Sequence, residues 1–114
     1  MTTLELDQAL NTLIVQGKSG EAFEAYYAED VVAQENDDPE RHGRAAWMKA
    51  RLEMEKNLKS FNAKVFGNAA NGDVSFSEWE YNLEIAGMGA MRIVQVAVRR
   101  WKDGRVIRER FYHK

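Results

Sequence analysis

Apolar residues recur at helical spacing near the start of the chain and at strand spacing over its second half. Leu6, Ala9, Leu10, Leu13 and Ile14 repeat at steps of three and four, which predicts an amphipathic helix with Thr2 or Thr3 placed to cap its start. Gly17 and Gly20 end it. Ser19, between them, is positioned to cap a second helix over roughly 21–28 that turns Ala22, Phe23, Tyr26 and Tyr27 inward. A short strand, Val31 to Glu35, follows the acidic pair Glu29-Asp30. Residues 36–43 hold the only proline and end in Gly43, the composition of a loop. A third helix opens at Gly43-Arg44. Its apolar stripe is Ala45, Met48 and Leu52, widened by Trp47, Met54 and Leu58, and Glu55 and Lys59 are spaced to pair on its wet side.

From Ser60 onward the period is two. Strands are predicted at about 61–69, 74–86, 90–101 and 105–113, separated by Asn71-Gly72, Gly87-Met88-Gly89 and Asp103-Gly104. Helices first and an antiparallel meander second is the α+β order, with the helices packed on a curved sheet. Along 74–86, Trp79, Tyr81, Leu83 and Ile85 share one face, while Glu78, Glu80, Asn82 and Glu84 share the other. A two-residue turn at Gly87-Met88 pairs Ala86 with Gly89 and sets Val94 beside Tyr81 and Val96 beside Trp79. A two-residue turn at Asp103-Gly104 pairs Lys102 with Arg105 and Val98 with Glu109. The inner face then collects Val94, Val96, Val98, Ile107 and Phe111, with Glu109 as its one ionisable group in mid-strand and His113 at the chain end. The outer face sets Glu78, Glu80 and Glu84 against Arg99, Arg108 and Arg110. A bulged three-residue loop at Lys102–Gly104 moves Glu109 to the charged face, but it also places Arg108 and Arg110 among the valines, so the first register is preferred.

Composition narrows the function classes. A chain of 114 residues fits one domain, 1–114, and buries a core without staples. The net charge of −2, with cations scattered among acids, offers no basic stripe for nucleic acid. The absence of cysteine excludes disulfides, thiolate nucleophiles and cysteine-ligated zinc. The start of the chain is neither basic nor followed by a long apolar run, so no signal peptide or membrane contact is expected and the cytoplasm is the default location.

Glu109 is the leading candidate for chemistry. A carboxylate on an apolar face is costly unless paired, and desolvation shifts such groups toward acid/base duty. The plainer reading pairs it with Arg100 or leaves it at a wet rim. Glu35, at a strand end, is the second catalytic candidate; a solvated strand-end acid is its plainer reading. Two carboxylates in one cavity would keep one proton between them, giving an acid and a base together. Tyr81, Tyr26 and Tyr27 are candidate donors to an oxyanion, and Trp47 and Trp79 candidate walls for a flat apolar ligand, although core packing explains such rings more often. With Val96, Phe111 and His113 they complete the expected ligand pocket. His42 and His113 are too few and too far apart for a metal site, and no motif calls for a cofactor.

The ending Trp101-Lys-Asp-Gly-Arg-Val-Ile-Arg-Glu109-Arg-Phe-Tyr-His-Lys114 and the stretch Val65-Phe-Gly-Asn…Asn71-Gly-Asp73 resemble the nuclear-transport-factor-2-like, SnoaL-like superfamily. The order of elements is similar across most of the chain; only the last strand and turn are specific in sequence. The resemblance implies a cone-shaped fold with a pocket between sheet and helices, often in homodimers formed here through the outer sheet face. It also implies relatives that include polyketide cyclases, ketosteroid isomerases, epoxide hydrolases and non-catalytic modules. Gln95 stands where many look-alikes carry glutamate, and His113 where an aromatic is common; because the acid/base positions of the related enzymes lie on different strands in different branches, no catalytic residue carries over. Two functions remain open: a cyclase- or isomerase-type enzyme using a pocket carboxylate on a small apolar carbonyl compound, and a ligand-binding or dimerisation module.

Overall fold

In the computed structural model, which describes residues 1–114, Thr2 closes a capping box at the start of the first helix, α1 (Thr3–Val15). Its hydroxyl accepts from the Glu5 amide while the Glu5 carboxylate accepts from the Thr2 amide. Helix α2 (Ser19–Tyr26) follows, but Ser19 is its first residue rather than its cap and is buried. The chain then extends without a turn into β1 (Tyr27–Glu35), which starts four residues earlier than the expected strand. Residues Arg41–His42 form a two-residue strand, β2, inside the expected loop. Helix α3 (Arg44–Glu55) buries Trp47 and half-buries Met48 and Arg51, leaving Leu52 and Met54 exposed, so the expected apolar stripe is rotated. Four long strands complete the chain: β3 (Leu58–Asn71), β4 (Val74–Ile85), β5 (Gly89–Lys102) and β6 (Arg105–His113).

The strands form one curled sheet in the order β2-β1-β6-β5-β4-β3. All neighbours are antiparallel except β1 and β6, which run parallel because the α2–β1 segment arrives from the helical layer rather than through a hairpin. The three helices pack on the concave face around Leu10, Phe23, Val31, Trp47, Trp79, Trp101 and Phe111. This α+β cone matches the expected architecture.

The register departs from expectation at one hairpin. Ile85 pairs with Gly89, so the β4–β5 connection is Ala86-Gly87-Met88, three residues rather than two, with Gly87 and Gly89 both at positive φ. That single added residue turns β5 over. Tyr81 faces Ile93 and Trp79 faces Gln95, so the inner face carries Ile93, Gln95, Ala97, Arg99 and Trp101. Val94 and Val96 lie outside, 44% and 36% exposed. Val96 is therefore not a pocket residue, and Arg99 is not part of the outer charge lattice.

The last turn is as expected. Asp103 and Gly104 both have positive φ, the type I′ geometry, and Lys102 pairs with Arg105. A bulge then skips Ile107, since Trp101 pairs with Val106 and Arg100 with Arg108. Val106, Glu109 and Phe111 point inward while Ile107 points out, and Glu109 lies opposite Arg99 rather than Val98. Arg108 and Arg110 meet Glu40 and Asp37 of the β1–β2 connection, and only Glu80 of the β4 acids finds an arginine, Arg92.

Candidate functional site

The concave face carries a buried polar network. Arg99 from β5 is 1% exposed and donates from Nε to Glu109 Oε2 at 2.6 Å, and from Nη1 to Asp7 Oδ1 at 2.8 Å and to Asn11 Oδ1. Asp7 and Asn11 come from α1, one turn apart on the face that also holds Leu10 and Ile14. Asp7 accepts further from Ser75 Oγ at 2.8 Å, Asn11 Nδ2 at 3.1 Å and Asn68 Nδ2 at 3.3 Å, and Trp101 Nε1 donates to Ser75 Oγ at 2.9 Å. Two carboxylates and one guanidinium are thus held out of water by nearly complete hydrogen bonding, the condition under which buried charges persist.

Tyr27, the first residue of β1, donates its hydroxyl to the same Glu109 Oε2 at 2.6 Å. Burial pushes the Tyr27 phenol well above the ordinary tyrosine value, and the Glu109 carboxylate adds to the rise against the pull of Arg99. Tyr81 is raised for the same first reason, burial, with Arg51 and Arg99 pulling it back. Burial alone would favour loss of the Arg99 proton, but the Glu109 and Asp7 carboxylates beside it outweigh that and hold the guanidinium charged.

Glu109 is consequently asymmetric. Oε2 takes two strong donors, whereas Oε1 is buried with no partner. Glu109 also walls an inner cavity with Phe23, Trp47, Arg51, Tyr81 and Phe111, whose volume of about 10 Å³ is the room of one water. Beyond Arg51 lies a hollow of about 230 Å³ bordered by Ser19, Met54, Leu58 and Phe61. A larger open groove of about 680 Å³ runs between α1 and β3, but Glu109 and Arg99 do not border it.

Of the expected site residues, Glu109, Tyr27, Tyr81, Trp47 and Phe111 converge on this cavity. Trp79 is fully buried behind it, stacked on Tyr81 at 5.3 Å and donating to Ser77. Glu35 and His113 do not reach it: they pair with each other at 2.8 Å at the end of β1 and β6, so the two expected carboxylates do not share a cavity. His42 is exposed beside Glu40. Sequence reasoning missed Asp7, Asn11, Arg51 and Arg99. The i, i+4 pair of Asp7 and Asn11 flanking Leu10 and Ile14 was the available signal for the first two.

Residues 8–109 match the model of the SnoaL-like domain. The chain belongs to that family. Among solved structures, this SnoaL-like domain is similar to a candidate SnoaL-like polyketide cyclase from Mesorhizobium loti, with 24% identity over 98% of this chain and 99% of the other and a TM-score of 0.83. It is also similar to an LEH-like epoxide hydrolase of M. tuberculosis (19% identity, 98% and 82% covered, TM-score 0.81). A third match is a Xanthomonas campestris protein of unknown function with a cystatin-like fold (18%, 99% and 91%, TM-score 0.85). At these identities the likeness shows the fold. None of the curated proteins is similar enough in sequence to match. No helix of the SnoaL-like domain is long and apolar enough to cross a membrane.

Proposed function

We propose that this SnoaL-like domain is a small-molecule enzyme that moves a proton at a carbon next to a carbonyl group, with Glu109 as the base. The observation that carries this reading is the divided Glu109 carboxylate. Tyr27 and Arg99 fix Oε2, and Oε1 is left unpartnered on a cavity wall that is otherwise largely apolar. A base held in one orientation, away from bulk water and with a free lone pair, suits proton abstraction. Tyr27 and Arg99 orient Glu109, and Glu35 has no part in the step. The cyclase candidate and the epoxide hydrolase of similar fold favour an enzyme over a passive module.

The test is exchange of carbon-bound hydrogen in D2O, followed by proton NMR across a panel of small ketones and aldehydes. Glu109→Gln is expected to slow exchange of any accepted compound by about 100-fold or more. Exchange at the wild-type rate in that variant removes Glu109 as the base.

One observation favours an additional role as a dimer. Phe76, Val94, Val96 and Tyr112 leave apolar surface on the outer sheet face, bordered by Glu78, Arg92 and Arg100. A second copy of the chain, related by a two-fold axis, offers the same mixed apolar and charged face and is the occupant this reading assigns.

A further inference from the structure

Three buried side-chain polar atoms lack a hydrogen-bond partner: Trp47 Nε1, Arg51 Nε and Glu109 Oε1. All three residues wall the one inner cavity. Two are N–H donors carried by α3 at an i, i+4 spacing, and the third is an acceptor on β6. Unpaired buried groups are rare and costly, and three of them around a single hollow describe a guest that accepts on one side and is attacked on the other. Arg51 has no competing hydrogen bond at Nε, because Glu55, its ionic neighbour, lies 3.7 Å away. It stands between the water-sized inner cavity and the 230 Å³ hollow, where Met54, Leu58 and Phe61 offer apolar surface.

Resting on the Glu109 reading, we propose that Arg51 and Trp47 are the oxyanion-binding donors of this site. They take the oxygen of a neutral carbonyl compound and the charge that develops on it. In the step, the C–H bond beside the carbonyl breaks and its proton passes to Glu109 Oε1. The electron pair left behind forms the carbon–carbon double bond of the enolate, and the carbonyl π pair moves onto the oxygen facing Arg51. Before the step Arg99 is paired with Asp7 and Glu109, and Arg51 already has Glu55 as its ionic neighbour, so the site holds no spare positive charge. Afterwards the enolate replaces the Glu109 charge, so the net charge of the site does not change during the step. An anionic substrate would leave an uncompensated negative charge inside, which selects ketones and aldehydes over carboxylates. The carbon skeleton of the substrate extends past Arg51 into the outer hollow, and the inner cavity widens to admit the reacting end while Arg51 Nε stays turned toward the oxygen.

The test uses binding rather than turnover, with butanoate as the oxyanion probe and butanamide as its neutral twin, titrated by amide NMR. In Glu109→Gln, the neutral amide stands in for the protonated acid, and butanoate is expected to bind about tenfold or more tighter than to wild type, with butanamide little changed. Adding Arg51→Met abolishes that gain. Adding Trp47→Phe, which keeps the ring and removes the donor, reduces it severalfold and serves as the decisive variant if Arg51→Met does not fold. No gain in Glu109→Gln, or a gain that survives loss of both donors, overturns the proposal. Hydrogen exchange in D2O reports on the base separately. Exchange unaffected by Glu109→Gln removes the base while the Arg51-dependent anion site stands. Exchange that needs Glu109, with no Arg51-dependent anion binding, removes the donors alone.

Discussion

Arg99 Nε lies 2.6 Å from Glu109 Oε2, across the β5–β6 ladder, with both side chains 1% exposed. The pair sits where an alternating sheet places its core, and Asp7 completes it from the helical layer. Its retention at that depth is explained by geometry: each charge has a hydrogen-bond partner of opposite sign, and one carboxylate oxygen is kept in reserve toward the cavity.

Removing the cation is expected to be severe. Arg99→Met leaves Asp7 and Glu109 buried without their counter-charge and is expected to cost about 3–5 kcal/mol in urea unfolding. Adding Glu109→Gln recovers part of the loss, because only Asp7 then stays unpaired. Additive losses in the double variant would show that the two side chains do not act as a unit.

The tyrosines give an alkaline prediction. Tyr27 and Tyr81 have folded-state values raised first by burial, so they keep their protons where an unfolded tyrosine ionises. Their contribution to stability is therefore present below about pH 10 and is lost as the pH rises above it. Ultraviolet titration should show two of the four tyrosines ionising only with unfolding. Tyr27→Phe removes one of these and costs about 1.5–3 kcal/mol through the lost bond to Glu109.

His113 is raised above its ordinary value, first by the Lys114 carbonyl and then by Glu35. A raised histidine stabilises the fold below its unfolded value of 6.5 and loses that contribution as the pH rises through the folded value. The pair is partly exposed, so the effect is expected to stay below about 1 kcal/mol. Imidazole NMR titration checks this: Glu35→Gln should lower the His113 value while leaving hydrogen exchange at the Glu109 site unchanged.

The outer face is tested by charge. Val96→Glu sets a carboxylate beside Glu78 in the middle of the apolar strip and is expected to yield monomers by light scattering where the parent protein is dimeric. A monomeric parent protein removes the dimer reading.

Much of this molecule was legible along the chain. The three helices, the four long strands, the Asp103-Gly104 turn and the inward direction of Glu109 follow from local periodicity and turn chemistry, which act over a few residues. The direction of Glu109 was right although its partner was not, since the bulge at Ile107 and the flip of β5 offset one another there.

What only the tertiary structure decided is which side of β5 faces the helices. Val94, Val96 and Val98 read as core, and Arg99 as surface, until one extra residue in the Ala86–Met88 connection exchanged them. Strand side chains alternate with a period of two, so a one-residue difference in a loop reverses a whole strand at little local cost. The compensation comes from residues distant in sequence. Asp7 and Asn11 lie about ninety positions before Arg99, and only when α1 settles on the sheet do they meet its guanidinium. Arg51 likewise gains its meaning from the cavity that α3 closes. Local pattern determined the elements; the burial of charge, and with it the candidate site, was decided by long-range pairing that no short window of sequence contains.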